Sequence, residues 1–148
     1  MPFEDAAGLT RIVIPSDPVS VRQALCALFT PLMSGPISQD ARDTAQLVLA
    51  EALNNIVEHA YANTPGEIEV TIEFSSKGLT CSITDCGLPM PDEHLPEGHL
   101  PYPLNSEDLP EGGFGWHLIR TLSEDLDYSR IGGRNRLTFR IESKQSGG

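Results

Sequence analysis

Residues 67–74, EIEVTIEF, place Ile68, Val70, Ile72 and Phe74 on one side of an extended chain and Glu67, Glu69, Thr71 and Glu73 on the other. Successive side chains of a strand point to opposite faces, so this segment can be buried on one face only. A second alternating run, LTCSITD (79–85), follows across Lys77-Gly78 and brings Leu79, Cys81 and Ile83 into phase with it. Together they read as an antiparallel hairpin with one apolar face that needs a covering layer. The segment upstream supplies that layer. From Ser38, the residues Ala45, Val48, Leu49, Ala52, Leu53, Ile56 and Ala60 recur at helical spacing. Ser38 or Asp40 is available as the N-cap, and Asn63-Thr64-Pro65-Gly66 is turn chemistry that should end the helix near Tyr61.

The remaining elements fit the same plan. LTRIVI (9–14) reads as a strand stopped by Pro15. Asp17 reads as an N-cap before Pro18, and Val21, Leu25, Leu28 and Leu32 predict a helix of about four turns that Pro31 ends early. Ser34-Gly35-Pro36 breaks the chain. Residues 88–112 hold six of the twelve prolines and show no periodicity. A segment of this length inside a compact domain reads as a lid or binding loop, with a disordered insertion as the alternative. Beyond Gly112-Gly113-Phe114-Gly115, the residues Trp116, Leu118, Ile119 and Leu122 predict a helix to about Asp125. A strand over 126–131, a turn at Gly132-Gly133 and a closing strand over 136–142 complete the chain, with a frayed tail. Strands largely segregate from helices. The expected fold is α+β, a two-layer sandwich with helices on one face of a mostly antiparallel sheet, in one domain over 1–148.

Composition narrows the function. With 148 residues and 39% apolar side chains, the chain can bury a real core. A formal net charge of −11 disfavours a general nucleic-acid binder. Any bound polyphosphate must then be held by local backbone N–H groups, a helix N-terminus or a metal ion. The three cysteines show no CxxC pair, and the N-terminus shows neither a signal peptide nor a membrane-length apolar run. The expected setting is the cytoplasm, away from membranes.

Three constellations carry possible chemistry. Glu51 and Asn55 lie four apart on one helix face, beside the apolar stripe. A carboxamide oxygen suits Mg²⁺, and a carboxylate one turn away suits a metal-bound water or proton abstraction. By itself such a pair is more often a solvated polar face. Asp85-Cys86-Gly87 ends an apolar strand, where a carboxylate can accept a hydrogen bond from an amine and glycine permits close approach; an Asx-turn is the simpler account. Gly112-Gly113-Phe114-Gly115 opens a helix, and its N–H groups favour an anion. It is neither a Walker A motif nor a dinucleotide fingerprint. His94 and His99, with Glu93 and Glu97, lack a fixed framework and read as solvated side chains. Cys81 and Trp116 read as core residues.

The order of these parts is more specific than any one of them. Over about residues 9 to 142 the chain resembles the GHKL ATPase superfamily (histidine-kinase-like ATPases with the Bergerat-type ATP-binding fold), most closely the bacterial anti-sigma-factor serine/threonine kinases. The resemblance rests on Glu51-Ala-Leu-Asn-Asn55-Ile-Val-Glu-His59-Ala-Tyr61, on Asp85-Cys86-Gly87, on Gly112-Gly113-Phe114-Gly115-Trp116-His117-Leu118-Ile119 and on the closing GGRNRLTFRI. It implies an ATP- and Mg²⁺-dependent kinase in which Asn55 coordinates the metal and Glu51 orients or deprotonates the acceptor hydroxyl. Asp85 would hydrogen-bond adenine, Gly87 would give it room, and Gly113, Phe114 and Gly115 would offer N–H groups to the phosphates. Residues 88–112 would be the ATP lid. They contain no Lys or Arg, so Arg120, Arg134, Arg136 or the metal alone would face the γ-phosphate. The implied partners are a STAS-domain anti-anti-sigma protein as phosphoryl acceptor and a competing sigma factor, with a homodimer common in the family. The alternative is a nucleotide-binding interaction switch of the same fold without phosphoryl transfer.

Overall fold

The computed structural model describes residues 3–5, 9–30, 38–61, 64–75, 78–90, 95 and 113–142. Six strands form one sheet in the order β1-β2-β3-β4-β6-β5: β1 (Phe3–Asp5), β2 (Leu9–Pro15), β3 (Glu67–Ser75), β4 (Gly78–Asp85), β5 (Glu124–Ile131) and β6 (Arg134–Glu142). Every neighbouring pair is antiparallel. Three helices, α1 (Pro18–Phe29), α2 (Gln39–Asn55) and α3 (Gly113–Leu122), make the second layer, with α2 between α1 and α3 and touching β4 and β6. This is the expected two-layer α+β sandwich.

The alternation in β3 and β4 decides which face the helices cover. Ile68, Val70, Ile72, Leu79, Cys81 and Ile83 are fully buried, and pairing sets Val70 beside Ile83 and Ile72 beside Cys81. Leu137, Phe139 and Ile141 of β6 continue the same face, and the α2 stripe Ala45, Val48, Leu49, Ala52 and Leu53 closes on it. Burial pushes the Cys81 thiol up to about 12, so it is an inert core group. Trp116 is also buried. The opposite sheet face is polar, with rows such as Thr71–Ser82–Thr138 running across it. No described helix is long and apolar enough to cross a membrane.

Local signals act where the sequence places them. Asp17 caps α1, its carboxylate accepting from the Ser20 N–H at 2.8 Å, and Pro18 opens the helix. The helix stops at Phe29, two residues before Pro31, and Thr30 donates back to the Cys26 carbonyl. Leu32 lies outside the described residues. Of the two candidate caps for α2, Ser38 is the one used, accepting from the Ala41 N–H at 3.2 Å.

Two helix boundaries differ from expectation. The long helix does not stay α-helical to Tyr61: it is α-helical to Asn55 and π-helical over Ile56–Ala60, where the Tyr61 N–H reaches the Ile56 carbonyl at 3.0 Å. The third helix ends at Leu122 rather than near Asp125, because Ser123 turns both its N–H and its hydroxyl onto the Ile119 carbonyl. Asp125 then takes a left-handed φ of 54° beside a bulge in the β5–β6 pairing, a conformation aspartate tolerates better than most residues. The edge strand β1, three residues long, is too short to leave a periodic signal.

The β5–β6 hairpin closes through Gly132 (φ 60°) and Gly133 (φ 79°), with Ile131 paired to Arg134. Two positive φ values in a two-residue loop suit the right-handed twist of the strands. A Cβ at Gly133 would meet nothing within 4 Å, so only backbone strain opposes a side chain there. Gly133→Ala is expected to lower unfolding free energy by about 1–2 kcal/mol. Gly132→Asn should cost less, since Asn visits this region readily. Urea unfolding of both variants measures the difference.

Candidate functional site

The first cluster lies between α2 and α3. Glu51 and Asn55 project from successive turns of α2 and meet the N-terminus of α3 at Gly115. A Cβ built on Gly115 would lie 2.7 Å from Glu51 Oε2 and 3.6 Å from Asn55 Nδ2. Glycine here lets the helix backbone come against the two side chains. The Asn55 amide is oriented by its own helix, Nδ2 donating to the Glu51 main-chain carbonyl at 3.3 Å. A carbonyl can only accept, so this bond fixes the amide's sense and turns Oδ1 away from the helix as the available atom. Asn55 is 8% exposed. The first N–H groups of α3, at 113–115, have no partner within the helix, and the helix dipole favours negative charge beside them.

The second cluster ends β4. Asp85 is 4% exposed and lies on the inner face of the sheet. Its Oδ1 accepts from Asn135 Nδ2 at 2.8 Å and from the Gly87 N–H at 2.9 Å. Burial raises the Asp85 carboxyl above its ordinary value, while the bonds from Asn135 and Gly87 and the charge of Arg130 pull it back down. Asn135 is itself buried and fully used. Its Nδ2 also reaches the Leu88 carbonyl at 2.9 Å, and its Oδ1 accepts from Tyr128 Oη at 2.6 Å and Arg130 Nη1 at 2.9 Å. The Tyr128 hydroxyl in turn accepts from the Met90 N–H, and Arg130 Nη1 also donates to the Gly87 carbonyl.

The π segment joins the two clusters. Its Ala60 carbonyl accepts from the Leu88 N–H at 2.8 Å, and a Cβ at Gly87 would fall 2.4 Å from the same oxygen. The close approach that Gly87 permits is therefore to the helix end, not to open space. Tyr61 completes the seam: its hydroxyl donates to the Glu67 carbonyl and accepts from the Cys86 N–H, both at 2.7 Å, with its ring over Gly66. Burial raises the Tyr61 phenol. An inserted residue in a helix changes the direction in which later groups face, and here the carbonyl and ring that follow the insertion hold the 85–88 turn.

All the expected site residues that the structure describes fall on these two clusters. The side chain of Phe114 lies outside the description, as do His94, His99, Glu93 and Glu97. His59 is exposed. Among the described residues no three His, Cys, Asp or Glu side chains gather as a metal cluster. Two of the three candidate arginines do not reach the first cluster. Arg134 and Arg136 alternate with the inward Asn135 and are exposed on the opposite sheet face, where Arg136 Nε donates to Ser82 Oγ. Arg120, exposed on α3, donates to the Leu95 carbonyl of the proline-rich segment.

The residues that sequence reasoning missed are Tyr128, Arg130 and Asn135. A period of two carried back from Leu137 would have turned Asn135 inward, a buried polar group in need of partners. The identity of those partners had no local signal.

This chemistry fits an anion with a hard cation. A carboxamide oxygen and a carboxylate suit Mg²⁺, three N–H groups at a helix start suit phosphate, and a buried carboxylate with one oxygen committed suits an amine. The sequence profile of the histidine kinase-like ATPase domain matches residues 14–141, and the chain belongs to that family. It is similar to proteins named serine-protein kinase RsbW, at 34% identity in Bacillus cereus and Bacillus mycoides and 33% in Bacillus anthracis. Each match runs over 89 residues, 59% of this chain and 56% of the relative, so the chain spans little more than half the length of those proteins.

Proposed function

We propose that the chain is an ATP-dependent protein serine/threonine kinase acting as an anti-sigma regulatory factor on a STAS-domain antagonist. The observation that carries the reading is the convergence of Glu51, Asn55 and the N-terminus of α3 around Gly115. In this reading Asn55 Oδ1 ligates Mg²⁺, the N–H groups of Gly113, Phe114 and Gly115 take the phosphates, and Asp85 Oδ2 accepts from the adenine amine. Glu51 holds the acceptor hydroxyl and takes its proton. Bound Mg²⁺-ATP would supply the phosphoryl group and part of its charge neutralisation. Similarity to serine-protein kinases supports the acceptor class. A sigma factor as competing ligand and a homodimer belong to the same proposal.

A second reading, a nucleotide-binding interaction switch without phosphoryl transfer, is favoured by the arginines. Arg134 and Arg136 lie on the far sheet face, which leaves Arg120 as the candidate cation from the sequence on the helix side. Titration calorimetry with ATP, with and without Mg²⁺, tests the nucleotide site that both readings share. Asn55→Ala is expected to weaken Mg²⁺-ATP binding by about 10–100-fold and remove its metal dependence. Well-folded wild-type protein that binds no ATP would sink both readings; ATP binding without transfer to any STAS protein would favour the switch.

Binding should also depend on pH. The amine of adenine donates, so it requires Asp85 ionised. The Asp85 carboxyl is raised by burial, so affinity is full above its folded pKa and falls as pH drops through it, starting at higher pH than for an exposed aspartate. The stability contribution has the opposite sense: with a raised folded value it is present below the unfolded pKa and lost as pH rises through the folded one. Calorimetry across acid pH should show this loss of affinity, and Asp85→Asn should abolish the pH dependence while binding weakly throughout.

A further inference from the structure

Asp85 is a buried carboxylate with a cation nearby, yet the two do not touch. Arg130 reaches in from β5 and spends Nη1 on the Gly87 carbonyl and on Asn135 Oδ1, both at 2.9 Å. Asn135 stands between charge and countercharge. Its oxygen end receives the guanidinium and the Tyr128 hydroxyl, and its nitrogen end donates to Asp85 Oδ1. A hydrogen-bonded amide oriented this way is polarised from both ends, which strengthens each bond. A direct arginine–carboxylate fork would have engaged both carboxylate oxygens. The interposed amide engages one. Among the described residues Asp85 Oδ2 accepts no hydrogen bond and no buried side-chain oxygen is left without a partner, so no described group closes Oδ2 to a ligand.

We propose that Arg130 and Asn135 are positioning residues that keep Asp85 ionised and turned, the positive charge acting through the Asn135 amide so that one carboxylate oxygen remains for the exocyclic amine of a purine. The proposal deepens the nucleotide reading and rests on it for the identity of the ligand, but the link between Arg130 and Asp85 belongs to the free protein. Among the described residues the other ionisable groups around Asp85 are Tyr128 on β5, Tyr61 at the end of the π segment, the adjacent Cys86, and Glu67 at the start of β3. Only Arg130 among them is a cation. A purine carrying a carbonyl oxygen in place of the amine would set acceptor against acceptor at Oδ2, so the same arrangement selects adenine over guanine.

The test follows the Asp85 carboxyl carbon by NMR through an acid titration of ligand-free wild type, Arg130→Met and Arg130→Lys, with ATP and GTP calorimetry on the same proteins. Arg130→Met keeps the length of the side chain and removes its charge. It is expected to raise the Asp85 midpoint and to weaken ATP binding about 10-fold near that midpoint, with most of the loss recovered well above it. Arg130→Lys should return the midpoint towards wild type. Asn135→Ala should reduce the ATP-over-GTP preference by about 10-fold. An unmoved Asp85 midpoint in Arg130→Met, or an ATP loss equal at every pH, would overturn the relay and leave Arg130 as a packing residue. Wild type that binds neither nucleotide would defeat the nucleotide reading, while the Asp85 titration would still decide the charge link.

Discussion

On the proposed kinase reading, Glu51→Gln is expected to lower phosphoryl transfer to a serine- or threonine-bearing acceptor by about 10²–10⁴-fold, with ATP affinity little changed. The substitution preserves shape and removes the ability to take a proton. Glu51 Oε2 lies beside Gly115, in the first turn of α3. A hydroxyl placed there would meet at once the carboxylate and the N–H groups proposed to take the phosphates. An amide in that position can still accept a hydrogen bond and hold the hydroxyl, so binding survives while the proton has nowhere to go. Single-turnover assays with a STAS-domain acceptor, run beside ATP titrations, separate the two effects. Transfer retained at the wild-type rate would remove Glu51 from the proton-transfer role.

Gly87→Ala destabilises the fold by roughly 3 kcal/mol, at the upper end for overpacking. The new Cβ would lie 2.4 Å from the Ala60 oxygen, 2.7 Å from its carbonyl carbon and 2.8 Å from its Cβ. These are rigid groups at the end of the π segment, so the 85–88 turn must move and the Leu88–Ala60 hydrogen bond must lengthen. Gly115→Ala provides the contrast. Its obstacle is Glu51 Oε2, the far end of a flexible side chain, so the helix accommodates the methyl group but the carboxylate is displaced. Urea unfolding should single out Gly87→Ala, and transfer assays should single out Gly115→Ala. A Gly87→Ala protein as stable as wild type would refute the packing account of that glycine.

Much of this was legible from the residues because local chemistry decided it. The alternation of Ile68, Val70 and Ile72 set the buried face, Asp17 and Ser38 capped the helices they precede, and Gly132-Gly133 fixed a tight hairpin. Glu51 and Asn55 were visible as a pair because helical spacing alone brings them together. What was not legible depends on distant parts of the chain. Nothing near Asp85 announces that Asn135 will hold it, since the contact exists only once β6 pairs with β4. The passage from α to π geometry after Asn55 also lacks a local cause: Ile56, Val57 and Ala60 continue the apolar stripe, and the widened turn is bonded from outside by Leu88. Offering Arg134 and Arg136 beside Arg120 as candidate cations counted charges without counting strand parity.

The bond between Asp85 and Asn135 spans fifty residues of chain, and this sets an order of events during synthesis. The hairpin of β3 and β4 and the helices before it are complete long before Asn135 emerges. Until β6 is made, the Asp85 carboxylate lacks its bond from Asn135 and has only the local one from Gly87, and β4 presents an open edge. Long-range pairing of this kind is slow and leaves such edges exposed. The nascent domain therefore acquires its finished carboxylate last, in the same step that covers the edge, and a chain cut short of β6 loses both.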